Sequence, residues 1–205
     1  MLEIAIHEHG VSDGKVAYVK LPANKYEVLD AMDRAKIIGE TSLRISSCDT
    51  VPELAGYEFK SESTIDELNI LAERLEVISA DKADITPTIA YRSLLRWGFD
   101  TVDEAINKTY GLETIPVFPC KGLAEYGEIV LDNDFLEELE EVPYELYDLL
   151  DREKVGRCMQ EKEGGMFIDG YYVIPSAYEP VLAYDGIVLP DGDEETDVEM
   201  EVEML

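Results

Sequence analysis

Few residues in this 205-residue chain are of a type and spacing that could do chemistry. His7-Glu8-His9 holds both of its histidines. On a strand, residues i and i+2 face the same way, so both imidazoles could bind a metal if a third ligand came from elsewhere. The spacing is not that of a metalloprotease helix. Two edge-strand histidines without a metal is the favoured reading, and no metal or cofactor is expected. Cys48, Cys120 and Cys158 are odd in number and form no CxxC pair, which points to a reducing compartment rather than a disulfide framework. A cysteine nucleophile would need a histidine beside it, and only two exist. Gly164-Gly165 has no helix start after it and reads as a tight turn rather than a phosphate cradle. There is no GxSxG, P-loop or GxGxxG pattern. Carboxylates are so numerous that no pair of them stands out, and the expectation is a protein that performs no reaction.

The elements that would position these residues read as α+β. Leu2, Ile4 and Ile6 alternate as a strand, and Val16 to Leu21 suggests a second. Asn24 with Glu27 is a capping box for a helix with Val28, Leu29, Met32 and Ala35 inward and Gly39 as its close. Leu43 to Cys48 is a third strand. Residues 64–115 read as helical. Thr64 to Glu67 is a capping box, with Leu68, Leu71, Ala72, Leu75 and Ile78 at helical spacing. Thr86-Pro87 starts a second helix that Trp97-Gly98 closes, and Thr101 to Glu104 opens a third that ends at Tyr110-Gly111.

Beyond Pro116, Gly127 to Leu131 reads as a strand. Asp132 or Asn133 would cap a short helix with Phe135, Leu136 and Leu139 inward, leaving Glu137, Glu138, Glu140 and Glu141 outward. Pro143 would restart a second acidic helix, with Leu146, Leu149 and Leu150 on one face and Glu145, Asp148, Asp151 and Glu153 on the other. Met166 to Ile168 and Tyr171 to Ile174 flank Asp169-Gly170, a hairpin signal. The expected organisation is an elongated chain of three small domains: an N-terminal α+β domain over 1–63, a helical middle domain over 64–115 and a C-terminal α+β domain over 116–188. An acidic tail over 189–205, expected to be disordered, follows; Val198, Met200, Val202 and Met204 alternate with glutamates in it.

The charge balance narrows the function. Forty-six acids against 17 Lys plus Arg give a net charge of −29, while 46% of residues are apolar, as in a folded protein. Residues 116–188 alone carry 17 acids and five bases. Such a chain is repelled by nucleic acid and by anionic membrane surfaces. No apolar run approaches a membrane span, and MLEIAIHEHG lacks the features of a signal peptide, so a cytoplasmic protein is expected. A duplex carries two phosphates per base pair, so −29 matches about 15 base pairs, or about 29 for a dimer. A folded surface of carboxylates can enter a DNA-binding groove whose Lys and Arg face a phosphate pattern, and it is steered there electrostatically.

Five motifs, in order, resemble the ArdA family of antirestriction proteins. Gly14 to Pro22 (GKVAYVKLP) precedes a helix that ends in Asp33-Arg34-Ala35-Lys36-Ile37. Residues 65–75, IDELNILAERL, are similar to the family's "ideLNyLAerL" helix and are the most specific match. Ala105-Ile106-Asn107-Lys108-Thr109 resembles its short helix before the third domain, and Leu149 to Arg157 (LLDREKVGR) its "yiDyeayGRd" segment. Glu163-Gly164-Gly165-Met166-Phe167 with Gly170-Tyr171-Tyr172-Val173 resembles its "eGGxFtxxGYv" ending.

The resemblance implies an elongated dimer shaped and charged like bent B-form DNA. Such a protein, carried by mobile genetic elements, blocks the DNA groove of type I restriction-modification enzymes in a bacterial host cell and inhibits restriction, with methylation by the same enzyme left open. It implies a mimic surface that includes Glu137, Glu138, Glu140, Glu141, Glu145, Asp148, Asp151 and Glu153. It also implies a dimer contact near Leu146, Leu149, Leu150, Gly156 and Arg157, with Arg157 in an ion pair. The alternatives are a mimic aimed at another DNA-binding target, such as a CRISPR effector, and an acidic chaperone or scaffold for basic proteins.

Overall fold

The computed structural model describes residues 1–8, 14–38, 40–57, 64–139 and 142–186. His9, Gly39, Glu140, Glu141, the side chain of Glu138 and the acidic tail lie outside what it describes. The fold is mixed α and β, with two small antiparallel sheets. In the first, β1 (Leu2–Glu8) runs between β2 (Val16–Leu21) and β3 (Thr41–Cys48). Leu2 pairs with Leu21 and Ile4 with Val19, so the alternation of β1 faces the core. Helix α1 (Lys25–Ala35) starts at the expected capping box: Asn24 accepts from the Tyr26 and Glu27 amides, and Glu27 accepts from the Asn24 amide. It stops at Lys36 in a left-handed conformation, before Gly39. Its buried residues are Val28 and Ala31, whereas Leu29, expected inward, is 54% exposed.

Helix α2 (Ile65–Ile78) buries Leu68, Leu71, Ala72, Leu75 and Ile78, the stripe its spacing predicts. Helix α3 (Thr86–Arg96) begins with Pro87 in its first turn. Helix α4 (Val102–Asn107) begins where Thr101 caps the Glu104 amide, and it ends before Tyr110. One apolar cluster joins β1, α2 and α3 to Ile168, Val173 and Tyr184, and so takes in residues of all three expected segments.

The third segment departs from expectation. Residues 127–131 are not a strand: they belong to helix α5 (Leu123–Asp132), which buries Tyr126, Gly127, Val130 and Leu131. That set repeats at i, i+1, i+4 and i+5, a helical period that starts before Gly127. Asn133 ends this helix instead of capping a new one. Glu137–Leu139 makes only a 3₁₀ turn, and Tyr144–Leu149 a second, in place of two acidic α-helices. The real helix, α6 (Arg152–Glu163), starts where Asp151 accepts from the Glu153 and Lys154 amides. Helices α5 and α6 cross at glycines. A Cβ on Gly156 would lie 2.1 Å from the Leu123 carbonyl oxygen, and one on Gly127 1.8 Å from that of Arg152.

The hairpin forms as expected. Strand β4 (Val117–Pro119) pairs with β6 (Tyr171–Val173), which pairs with β5 (Met166–Ile168). Asp169 and Gly170 turn between β5 and β6 with φ of 47° and 86°. Two positive φ values in succession define the primed turn that Asp-Gly favours.

Candidate functional site

The acidic surface nominated from sequence is held by aromatic and apolar anchors. Leu136 is buried beneath α5 with Cys120, Tyr126, Val130 and Tyr172, and Leu139 packs against them. The Tyr144 hydroxyl donates to the Asp134 carboxylate, and the Tyr147 hydroxyl donates to the Leu139 carbonyl at 3.3 Å. Those contacts fix the stretch that carries Glu137, Glu145 and Asp148, all exposed. Asp151 and Glu153 are exposed as well, at the start of α6.

The acids are not all unopposed. Arg157 bonds Glu153 at 2.8 Å, one turn back on α6. Lys154 sits 3.5 Å from Asp151, and Arg152 lies 3.8 Å from Asp148 and 3.9 Å from Glu128. Exposed pairs of this kind contribute little stability, but they set three cations against four of the carboxylates. Glu137 and Glu145 make no ion pair among the described residues. Asp151, which caps α6, is held below the usual carboxylate range by the Lys154 amide that donates to it.

The proposed contact residues divide. Leu146 and Leu149 are exposed, at 46% and 79%, beside an exposed Tyr144, while Leu150 is half-buried. Gly156 is buried against α5, so its smallness is used inside the chain. Arg157 is exposed and its ion pair is intramolecular.

The recurring motif residues act chiefly as clamps. Asn69 accepts from the Ala23 amide at 2.9 Å and donates to the Ala23 carbonyl at 2.8 Å, fastening α2 to the chain before α1. Asn107 accepts from the Ala183 and Tyr184 amides and donates to the Tyr184 carbonyl, tying residues 183–184 to the end of α4. Glu163 accepts from the Tyr126 and Tyr172 hydroxyls at 2.6 and 3.2 Å. Burial and that carboxylate push both tyrosines well above their ordinary range. Gly165 is required because a Cβ there would lie 2.2 Å from the Tyr172 hydroxyl oxygen.

Two features escaped the sequence reading. Arg92 bonds Glu53 through two nitrogens at 2.8 and 3.0 Å and Asp169 at 2.5 Å, while Arg96 reaches the same Glu53. The knot joins residues from each third of the chain. Burial pushes Glu53 up, but the bonds from Arg92 and Arg96 outweigh it and hold the carboxyl below its usual range. Arg92 likewise holds Asp169 low. The second feature is a cleft of about 660 Å³ on which Arg74 opens, lined also by residues of α3 and of 109–117. The only available signal was a lone arginine among Leu71, Ala72, Leu75 and Ile78, buried residues of α2.

Cys48 and Cys120 are buried, with burial pushing both thiols up, while Cys158 is exposed. His7 is half-buried, and among the described residues no group of three or more His, Cys, Asp or Glu is placed to hold a metal. No helix of the described residues is long and apolar enough to cross a membrane. No protein-family model matches the chain, and no curated protein matches it.

Proposed function

We propose that this protein is a DNA mimic of the ArdA antirestriction type. In this reading it acts in the cytoplasm of a bacterial host as an elongated homodimer of three-domain chains and occupies the DNA groove of a type I restriction-modification enzyme. It blocks restriction without performing a reaction. The observation that carries the reading is the charge of −29 on a folded chain, with Glu137, Glu145 and Asp148 exposed on a stretch anchored by Leu136, Tyr144 and Tyr147, and Asp151 and Glu153 exposed at the start of α6. Carboxylates on an ordered backbone can meet a groove's Lys and Arg at fixed spacings, which a flexible polyanion does not. The five ordered motifs support the family assignment, and the exposed Tyr144, Leu146 and Leu149 support self-association at that end.

Binding of this kind is dominated by distributed charge, so single substitutions have little effect and rim charges act mainly on association rate. The test is a triple reversal, Glu137→Lys, Glu145→Lys and Asp148→Lys, which replaces exposed groups and leaves every anchor in place. Inhibition of a type I enzyme is expected to weaken by an order of magnitude or more with an unchanged circular dichroism spectrum. Unchanged potency in a folded triple variant removes this surface from the mimic.

A further inference from the structure

The cleft beside α2 combines a cation that has no acidic partner among the described residues with an apolar wall. Val77 and Ile78 of α2, Pro87 of α3, and Leu112 and Ile115 form that wall. Its volume of about 660 Å³ falls among ordinary small-ligand pockets. Arg74 supplies the one cationic side chain of the lining among the described residues. Its guanidinium lies 3.9 Å from the centre of the Tyr110 ring. Its Nε donates to the Thr109 hydroxyl at 3.1 Å and its Nη2 to the Thr109 carbonyl at 3.3 Å. Those two bonds use one edge of the fork, and among the described residues no acceptor takes the Nη1–Nη2 edge.

In a chain where acids outnumber bases 46 to 17, this is unusual. Arg34, Arg92, Arg96, Arg152 and Arg157 each reach a carboxylate. Arg74 makes no ion pair among the described residues. A stacked, half-buried guanidinium is already immobilised, so little side-chain entropy is lost when a carboxylate takes its remaining edge bidentately.

The two acids of the lining set the ligand's charge. Asp84 is bonded to the Thr86 amide and hydroxyl at 3.0 and 2.6 Å, which hold it low and ionised, and Glu113 is exposed at the lip. With the net charge of the chain they repel a polyanion, while a single carboxylate beside Arg74 is tolerated. We propose that this cleft binds a small organic monocarboxylate with an apolar body, its carboxylate on Arg74 and its body against Val77, Ile78, Leu112 and Ile115.

The probes are 4-phenylbutyrate, its primary amide and citrate, titrated into the full-length protein and followed by amide proton–nitrogen NMR spectra. The acid is expected to give saturable shifts centred on Val77, Gly111 and Leu112, the amide to bind at least tenfold more weakly, and citrate to leave those signals unmoved. Arg74→Gln is expected to lower the affinity for the acid to that for the amide. Should that variant fail to fold, Val77→Trp, at a position 58% exposed, fills the cleft and is expected to abolish the shifts. The proposal is overturned by acid and amide binding alike, by saturable citrate binding at the same signals, by discrimination that survives Arg74→Gln, by shifts that survive Val77→Trp, or by no saturable response to the acid.

Discussion

Substituting Gly156 by alanine separates two roles that one small residue can play. The added Cβ would lie 2.1 Å from the Leu123 carbonyl oxygen and 3.0 Å from the Gly127 nitrogen, whereas ordinary contacts begin at 3.4 Å. Both obstructing atoms are backbone, so no side chain can rotate aside, and α6 must retreat from α5 by about 1 Å at the crossing. Overpacking of this kind costs about 3 kcal/mol at the upper end of its range, against about 1 kcal/mol gained because alanine favours a helix interior. The net expectation is a loss of about 2 kcal/mol, which for a chain of this size lowers the melting temperature by about 4–8 °C. Thermal unfolding followed by circular dichroism measures it, with Lys154→Ala, an exposed site on the same helix, as the control. A Gly156→Ala protein as stable as its parent refutes the crossing argument. If such a protein also sediments as a monomer where the parent is a dimer, Gly156 serves the subunit contact instead.

Arg92→Met leaves the half-buried Glu53 carboxylate with Arg96 alone and is expected to cost about 3 kcal/mol, as measured by urea denaturation at pH 7. Glu53 and Asp169 sit lower in the folded than in the unfolded chain, so their stabilisation is full above the unfolded carboxylate range near pH 4 and disappears as pH falls through the folded values. The variant's melting temperature should therefore fall less steeply than the parent's between about pH 5 and pH 3; parallel curves would exclude the knot as a source of acid sensitivity. Asn107→Ala removes three hydrogen bonds and is expected to expose the Ala183 and Tyr184 amides to faster hydrogen exchange while α2 stays protected. Unchanged exchange at those two amides would show that Tyr184 burial alone holds the segment.

Much of the first two thirds is legible in sequence because its signals are local. Capping boxes mark the helix starts at Asn24 and Thr64, the second beside a clean apolar stripe, and β1 alternates against a buried face. Asp169-Gly170 encodes its own turn. The third segment misleads for identifiable reasons. Helix α6 buries only Gly156, so no apolar stripe announces it, and its start depends on Asp151, one more acid in an acidic run. Gly127 looks like a breaker, yet it is in a helix because another backbone crosses there. The acids of the candidate site can be counted from sequence, but which of them remain unpaired depends on α6 bringing Arg152, Lys154 and Arg157 back onto Asp148, Asp151 and Glu153. The Glu53–Arg92–Asp169 knot spans 39 and 77 residues, and no local pattern records it.

The central claim of charge mimicry is tested most directly by titrating the protein into DNA cleavage by a type I restriction-modification enzyme at several duplex concentrations. The account predicts inhibition whose midpoint rises in proportion to the duplex added, and which weakens with salt because the enzyme's Lys and Arg meet carboxylates in place of phosphates. Restriction left untouched across several type I enzymes, or inhibition that stays constant as duplex is raised, would contradict it.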